Sequence, residues 1–363
     1  MTPALLVLED GSIFRGAGFG SAEDAHAEIV FNTCMTGYLE IATDPSYRGQ
    51  MVCMTYPLIG NYGVTVEQAE ARQPWISALI VREIAPFHSH HRARYALSEY
   101  LADAGIPGIC DVDTRALTRR LRARGAMRAI VTRNERGRSE ADLVAAANRI
   151  PALGAQALVA GAGVAEAFTY AHGSGGRVVV LDCGIKSNIL RSLSRRGLEV
   201  IVVPYTATAA DVLALSPRGI VLSNGPGDPE AVPAVTASVK ELVASDVPIL
   251  GICLGHQMLG LAAGGTTSRL PFGHHGGNHA VRDLETGVVK ITSQNHEFQV
   301  DRESLPPSSG FVVSQVNVND GTVEGLRHRS RAIRSVQYHP EGAPGPQDNQ
   351  PLFDDFVAGL GAT

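Results

Sequence analysis

The sequence predicts an α/β protein: a C-terminal, mostly parallel, doubly wound sheet with a Cys nucleophile elbow, preceded by a smaller α+β N-terminal domain. Three observations predict it. Apolar runs at 178–181, 200–203, 219–222 and 248–252 alternate with amphipathic stretches near 187–196, 209–215, 234–245 and 254–263, and such alternation implies βαβ units. In Val247-Pro-Ile-Leu-Gly-Ile-Cys-Leu-Gly-His-Gln-Met-Leu-Gly260 an apolar run breaks at glycine and resumes as a helical pattern. That reads as strand, sharp turn and helix, with the Cys253 thiol at the turn. Residues 1–151 lack this regular alternation and read as a separate α+β domain.

The elements follow in chain order. Leu5–Leu8, Glu-Asp-Gly and Ser12–Phe14 form a hairpin pattern. β-type runs at Ile29–Phe31, Met51–Tyr56 and Trp75–Val81 precede helical stretches near 92–104 and 114–124. The second starts at Asp113-Thr114, good N-cap residues, and stops at Gly125. Residues 152–176 are Ala/Gly-rich and end in a glycine cluster, which predicts an interdomain linker containing at most a surface strand or helix. The domains are therefore expected at 1–151 and 177–363. Right-handed crossovers place the C-terminal ends of parallel strands on one sheet edge, where ligands bind. Cys253 and the loop Ser223-Asn-Gly-Pro-Gly-Asp-Pro229 should face the same crevice.

A thiol at a helix N-terminus is favoured in its thiolate form, the nucleophile. It needs a base and an orienting partner. The one His-x-Glu in the chain is Val336-Gln-Tyr-His-Pro-Glu341. If 336–341 is extended, His339 and Glu341 point to one face, and the carboxylate can hold the imidazole. An oxyanion would be met by the Leu254 N–H and by an amide of the Gly225–Gly227 loop. Gln257 lies one helical turn past Cys253, where a side-chain amide can recognise another amide. Ser293-Gln-Asn-His-Glu-Phe298 is a polar cluster suited to a pocket rim. A buried structural cysteine and a solvated His-x-Glu are the bland alternatives for these residues.

Composition excludes several classes. The 363 residues are 44% hydrophobic and 18% charged with a net charge of −5, which argues against sequence-independent nucleic-acid binding. The N-terminus has no basic n-region, so no signal peptide is expected, and no stretch approaches a membrane span. Five cysteines without a CxxC pair fit a reducing, cytoplasmic setting. His88/His90/His91 and His274/His275/His279 lack metal-ligand spacing, so no metal is expected. The run 115–138 holds nine arginines and one acid. It reads as a solvated face or as a docking surface for an acidic protein partner.

Gly251-Ile-Cys-Leu-Gly-His-Gln257, Ser223-Asn-Gly-Pro-Gly-Asp228 and Tyr338-His-Pro-Glu341 resemble the class I (triad) glutamine amidotransferases. Thr43-Asp-Pro-Ser-Tyr47, Thr55-Tyr-Pro-Leu-Ile-Gly-Asn-Tyr62, Asp113-Thr-Arg-Ala-Leu-Thr118, Gly125-Ala-Met-Arg128, Gly273-His-His-Gly-Gly-Asn-His279, Ser293-Gln-Asn-His296 and Pro344-Gly-Pro346 narrow this. They resemble the small, glutamine-hydrolysing subunit of carbamoyl-phosphate synthases over nearly the whole chain. The resemblance implies that Cys253 attacks the glutamine carboxamide, with His339, oriented by Glu341, moving protons. It implies that Ser46, Gly225, Gly227, Leu254, Gln257, Asn295 and Phe298 hold glutamine or its oxyanion. It further implies an ammonia channel into a large subunit that makes carbamoyl phosphate with ATP and Mg, for arginine and pyrimidine biosynthesis, with no cofactor on this chain.

Three positions depart from the family pattern. Glu297 stands where glycine is usual, at a position that offers glutamine a backbone contact. Leu39 replaces a glutamine in Gly37-Tyr-Leu-Glu40, and Gly342 replaces an alanine after Glu341. The glutaminase part of a guanylate or anthranilate synthase is the alternative reading on the same scaffold, against which the N-terminal domain speaks. A non-catalytic binding subunit is the alternative of another class, against which the intact Cys253, His339 and Glu341 speak.

Overall fold

A computed structural model describes residues 2–134 and 137–361 of the chain, which divides into two units. One comprises Met1–Gln156 with Pro271–His275, the other Ala157–Leu270 with Gly276–Thr363. Residues from Ala157 onward in the Ala/Gly-rich stretch therefore fold with the second unit, whereas the short piece Pro271–His275 groups with the first.

In the first unit the expected hairpin forms between Thr2–Leu8 and Ile13–Gly20, with Val7 opposite Ile13. Its turn is closed by Gly11 N–H donating to Leu8 O at 3.0 Å, and Gly11 has φ 87, a value glycine tolerates. Among the described residues, the strands run Thr2–Leu8, Ile13–Gly20, Pro107–Cys110, Ala78–Ile80, Gln50–Met54, Ala25–Asn32, Met127–Thr132 and close into a barrel. Closure places Leu6 opposite Val131. Alternation along Gln50–Met54 splits the core. Met51 and Cys53 pack with Leu117 and Leu121, whereas Val52 and Met54 pack with Tyr38 and Ile41. Leu39, one of the three departures, is fully buried in that second cluster. The helix Thr114–Arg124 is capped as expected: Asp113 accepts from Ala116 N–H at 2.9 Å, and Gly125 at φ 97 ends it.

The arginine-rich run is partly engaged within this unit. Arg120 pairs with Asp10, Arg128 with Glu9 and Arg138 with Asp24, and Arg133 donates to Gly20 O at 3.1 Å. Arg115, Arg119, Arg122 and Arg124 are exposed along the helix. Glu135 and Arg136 of the same run lie outside the described residues.

The second unit is built on one mixed sheet. Its central strands run Glu199–Pro204, Arg177–Asp182, Gly219–Leu222, Ile249–Ile252 and Ile333–Val336, each parallel to its neighbour. Phe168–Ala171 adds antiparallel to Glu199–Pro204 at one edge. Val323–His328 and Phe311–Asn317 continue the sheet antiparallel on the other side, followed by Thr267–Asp283 and Val289–Val300. The helices Ser187–Ser194, Ala209–Ala214, Pro233–Ala244 and Leu254–Ala262 fall where the amphipathic pattern placed them.

Both faces of the parallel strands are buried, so they read as continuous apolar runs. Val178 and Val180 pack with Ile189, Leu193 and Phe353. Val179 and Leu181 pack with Val212, Val239 and Met258. Among the described residues, no helix is long and apolar enough to cross a membrane.

Candidate active site

Parallel strands deliver their C-terminal ends to one edge, and the site residues of the second unit gather there. The strand Ile249–Ile252 ends at Gly251-Ile252, and a single residue separates it from the helix Leu254–Ala262. Cys253 joins them at φ 54, ψ −103, a conformation a β-carbon makes costly. Its N–H donates to Val336 O at 2.9 Å, tying the turn to the neighbouring strand. The approach is too close for a side chain at Gly255, where a β-carbon would lie 2.3 Å from Leu222 O. The loop after Gly219–Leu222 meets the same helix start: Gly255 N–H donates to Ser223 O at 3.0 Å. A β-carbon on Gly225 would lie 2.8 Å from Leu254 Cδ2, so the Gly225–Gly227 loop and the helix start at Leu254 are neighbours. Gly227, at φ 84, turns the loop.

His339 and Glu341 are brought together differently from the expectation. The strand ends at Val336; His339 makes an isolated antiparallel bridge to Ser293, and the chain turns at Pro340-Glu341. Gly342 N–H donates to His339 O at 3.1 Å, so His339-Pro340-Glu341-Gly342 is a turn with proline in its second position, where its fixed φ fits. Gly342 has φ 67, which gives glycine a conformational reason at this departure. The turn sets His339 Nδ1 2.7 Å from Glu341 Oε1. His339 N–H donates to Ser293 O at 2.8 Å, which anchors it to the strand Val289–Val300.

The electrostatics separate the histidines. Burial opposes a charged His339, but the Glu341 carboxylate, assisted by Cys253, outweighs it and raises the imidazole well above its ordinary range. His339 Nε2 is buried and makes no hydrogen bond among the described residues. His256, three residues past Cys253, is fully buried and pushed down to about 3 by burial alone. It is neutral, and its Nδ1 sits 2.9 Å from Ser335 Oγ. Burial favours a protonated Glu341, yet Lys186 first and His339 second hold it well below the carboxylate range.

Lys186 is a residue the sequence reading missed. Its Nζ lies 3.0 Å from Glu341 Oε1 and donates to Gly342 O at 2.7 Å, and its side chain is buried. A signal was available. Lys186 is one of three lysines in the chain and follows the strand Arg177–Asp182, on the edge that carries the cysteine. Arg269 was also missed; its Nη2 lies 3.3 Å from Glu297 Oε2.

The other expected residues are placed as follows. Asn295 O accepts from Cys253 Sγ at 3.5 Å, and Asn295 and Phe298 are buried on Val289–Val300. Gln257 Nε2 donates to Phe298 O at 2.8 Å and to Gln337 Oε1 at 3.2 Å. Glu297 is buried in the same strand and is not among the residues at positive φ. Ser46 belongs to the first unit, in the 3-10 turn Pro45–Tyr47, where its N–H donates to Asp44 Oδ1 at 2.9 Å. The remaining cysteines are buried and form no disulfide among the described residues; burial pushes Cys53 up to about 12 and Cys183 up as well, as for inert structural thiols.

Two family models match this chain. Residues 6–131 match the carbamoyl-phosphate synthase small chain, CPSase domain, and residues 179–358 match glutamine amidotransferase class-I. A carbamoyl phosphate synthase small chain of Symbiobacterium thermophilum is 51% identical over 353 residues, covering 97% of each chain. The chain belongs to the carbamoyl phosphate synthase small-chain family. A small chain of Chlorobaculum tepidum is 49% identical, covering 98% of this chain and 97% of its own. A pyrimidine-specific small chain of Lactiplantibacillus plantarum is 45% identical, covering 97% of this chain and 94% of its own. The chain is the glutamine-hydrolysing small subunit of a carbamoyl phosphate synthase.

Proposed function

We propose that Cys253, His339 and Glu341 perform this hydrolysis as a triad, and that the ammonia passes to a large-subunit partner. The observation that carries the reading is the buried His339–Glu341 pair at 2.7 Å, its imidazole raised partly by Cys253. We read the two-faced sheet as doubly wound and the Cys253 turn as a nucleophile elbow, because φ 54 at a strand-to-helix junction is the strained geometry such an elbow uses.

The thiolate of Cys253 attacks the side-chain carboxamide carbon of L-glutamine, and the carbonyl electrons move to oxygen. The Leu254 N–H and an amide of Gly225–Gly227 meet that oxyanion. His339 gives its proton to the nitrogen, the C–N bond breaks, and ammonia leaves a glutamyl thioester. Water then attacks the thioester, His339 takes the water proton, and glutamate departs as thiolate re-forms. Glu341 stays ionised and steadies the imidazolium in both halves. Gln257, Asn295 and Phe298 serve to hold glutamine.

Ammonia released into water is largely protonated and no longer nucleophilic, which is the physical reason for passing it directly to the partner. We place ATP and Mg on that partner, the pair at least a heterodimer, and the assembly in the cytoplasm. The test is glutamine hydrolysis by the full chain alone and after adding the large subunit. Slow hydrolysis that accelerates on addition supports the reading; a rate indifferent to the partner overturns the coupling.

A further inference from the structure

Gln337 is fully buried, lies just past the strand Ile333–Val336, and has no part in the triad described above. Its backbone N–H donates to Glu324 O at 2.9 Å, which fixes the start of the turn that leads to His339. The side chain lies between two site residues. Its Oε1 accepts from Gln257 Nε2 at 3.2 Å, and its Nε2 donates to Cys253 Sγ at 3.7 Å.

The orientation of both amides follows from one carbonyl. Phe298 O can only accept, so Gln257 must turn its nitrogen toward it, at 2.8 Å. The same nitrogen faces Gln337, so Gln337 must answer with its oxygen. Its nitrogen is then left pointing at the sulfur. A backbone carbonyl thus determines, through two buried amides, that a donor faces Cys253.

The opposite side of the sulfur is different. Asn295 O, at 3.5 Å, accepts from the thiol and offers nothing to a thiolate. A neutral amide N–H gains strength when its acceptor becomes charged. Gln337 therefore stabilises the ionised sulfur selectively.

We propose that Gln337 is a further catalytic residue, an amide donor to the Cys253 thiolate whose orientation is fixed by Gln257. The inference deepens the triad reading and rests on Cys253 being the nucleophile. Because Gln257 has a place in the glutamine pocket, the same amide pair couples that pocket to the state of the nucleophile.

The test uses the full chain with its large subunit and two near-isosteric variants, Gln337→Met and Gln337→Glu. The probe is iodoacetamide, with alkylation of the Cys253 peptide followed by mass spectrometry at several pH values. Alkylation at neutral pH is expected to fall about tenfold in Gln337→Met, the scale of one hydrogen bond to a charged group, and further in Gln337→Glu. The glutaminase kcat should fall in the same order, with KM for glutamine little changed. Alkylation rates equal to the parent in a folded Gln337→Met variant overturn the proposal. Alkylation needs no glutamine, so it reads Gln337 even if the glutaminase reading fails. If Gln337→Glu does not fold, the Met variant alone decides.

Discussion

Lys186 Nζ lies 3.0 Å from Glu341 Oε1, and both side chains are buried. The contact makes Glu341 the meeting point of two cations, since His339 Nδ1 reaches the same oxygen at 2.7 Å. Lys186 holds Glu341 ionised while opposing a charge on His339. The Lys186→Met variant keeps the aliphatic stem and removes the charge. Glutaminase kcat/KM should drop about tenfold or more, as for loss of one charged hydrogen bond. The acid limb of its pH profile should move to higher pH, because Glu341 is then less strongly held ionised. An unmoved acid limb would leave Lys186 a packing role only.

The His339–Glu341 pair also makes stability depend on pH. His339 is raised above its ordinary value of 6.5, to about 10, so its contribution is complete below 6.5 and is lost as pH rises through about 10. Glu341 is lowered from 4.5 to about 2, so its contribution is present above 4.5 and is lost as pH falls through about 2. Urea unfolding of the parent and of His339→Asn should therefore differ most between pH 4.5 and 6.5. The difference should shrink steadily toward pH 10. A difference that stays level across that alkaline range would contradict the raised imidazole.

Glu297 is accommodated in an extended strand rather than at positive φ, and Arg269 engages its carboxylate at 3.3 Å. Glu297→Gly should then leave the KM for glutamine within about twofold, since no backbone strain is relieved. Arg269→Gln should raise KM about fivefold or more by leaving a buried carboxylate less well compensated near the α-carboxylate of bound glutamine. The double variant should return KM toward the parent value, which is the signature of coupled residues. Independent, additive effects would separate Arg269 from the pocket.

Sequence patterning reached furthest where structure is local. The strand–turn–helix around Cys253, the Asp113 cap and the alternating strands and helices of 177–263 each follow from periodicity and punctuation within a few residues. Closure of the N-terminal barrel was not legible, because it depends on pairings such as Cys53 with Ile80 and Leu6 with Val131 that no local pattern encodes. The pairing of His339 with Glu341 was legible from their spacing, but the turn that joins them was not, because it rests on the Gly342 N–H to His339 O bond and on the fixed φ of Pro340. Lys186, Arg269 and Gln337 escaped notice because each acts through a partner distant in sequence. Gln337 lies 84 residues from Cys253.

The central claim is that Cys253 is the nucleophile of a glutaminase that supplies ammonia to a partner. It is tested most directly by assembling Cys253→Ser with the large subunit and comparing carbamoyl phosphate synthesis driven by glutamine and by free ammonia. The glutamine-driven rate should fall by about a thousandfold or more, with the ammonia-driven rate retained. Equal loss of both rates, or retention of the glutamine-driven rate, would contradict it.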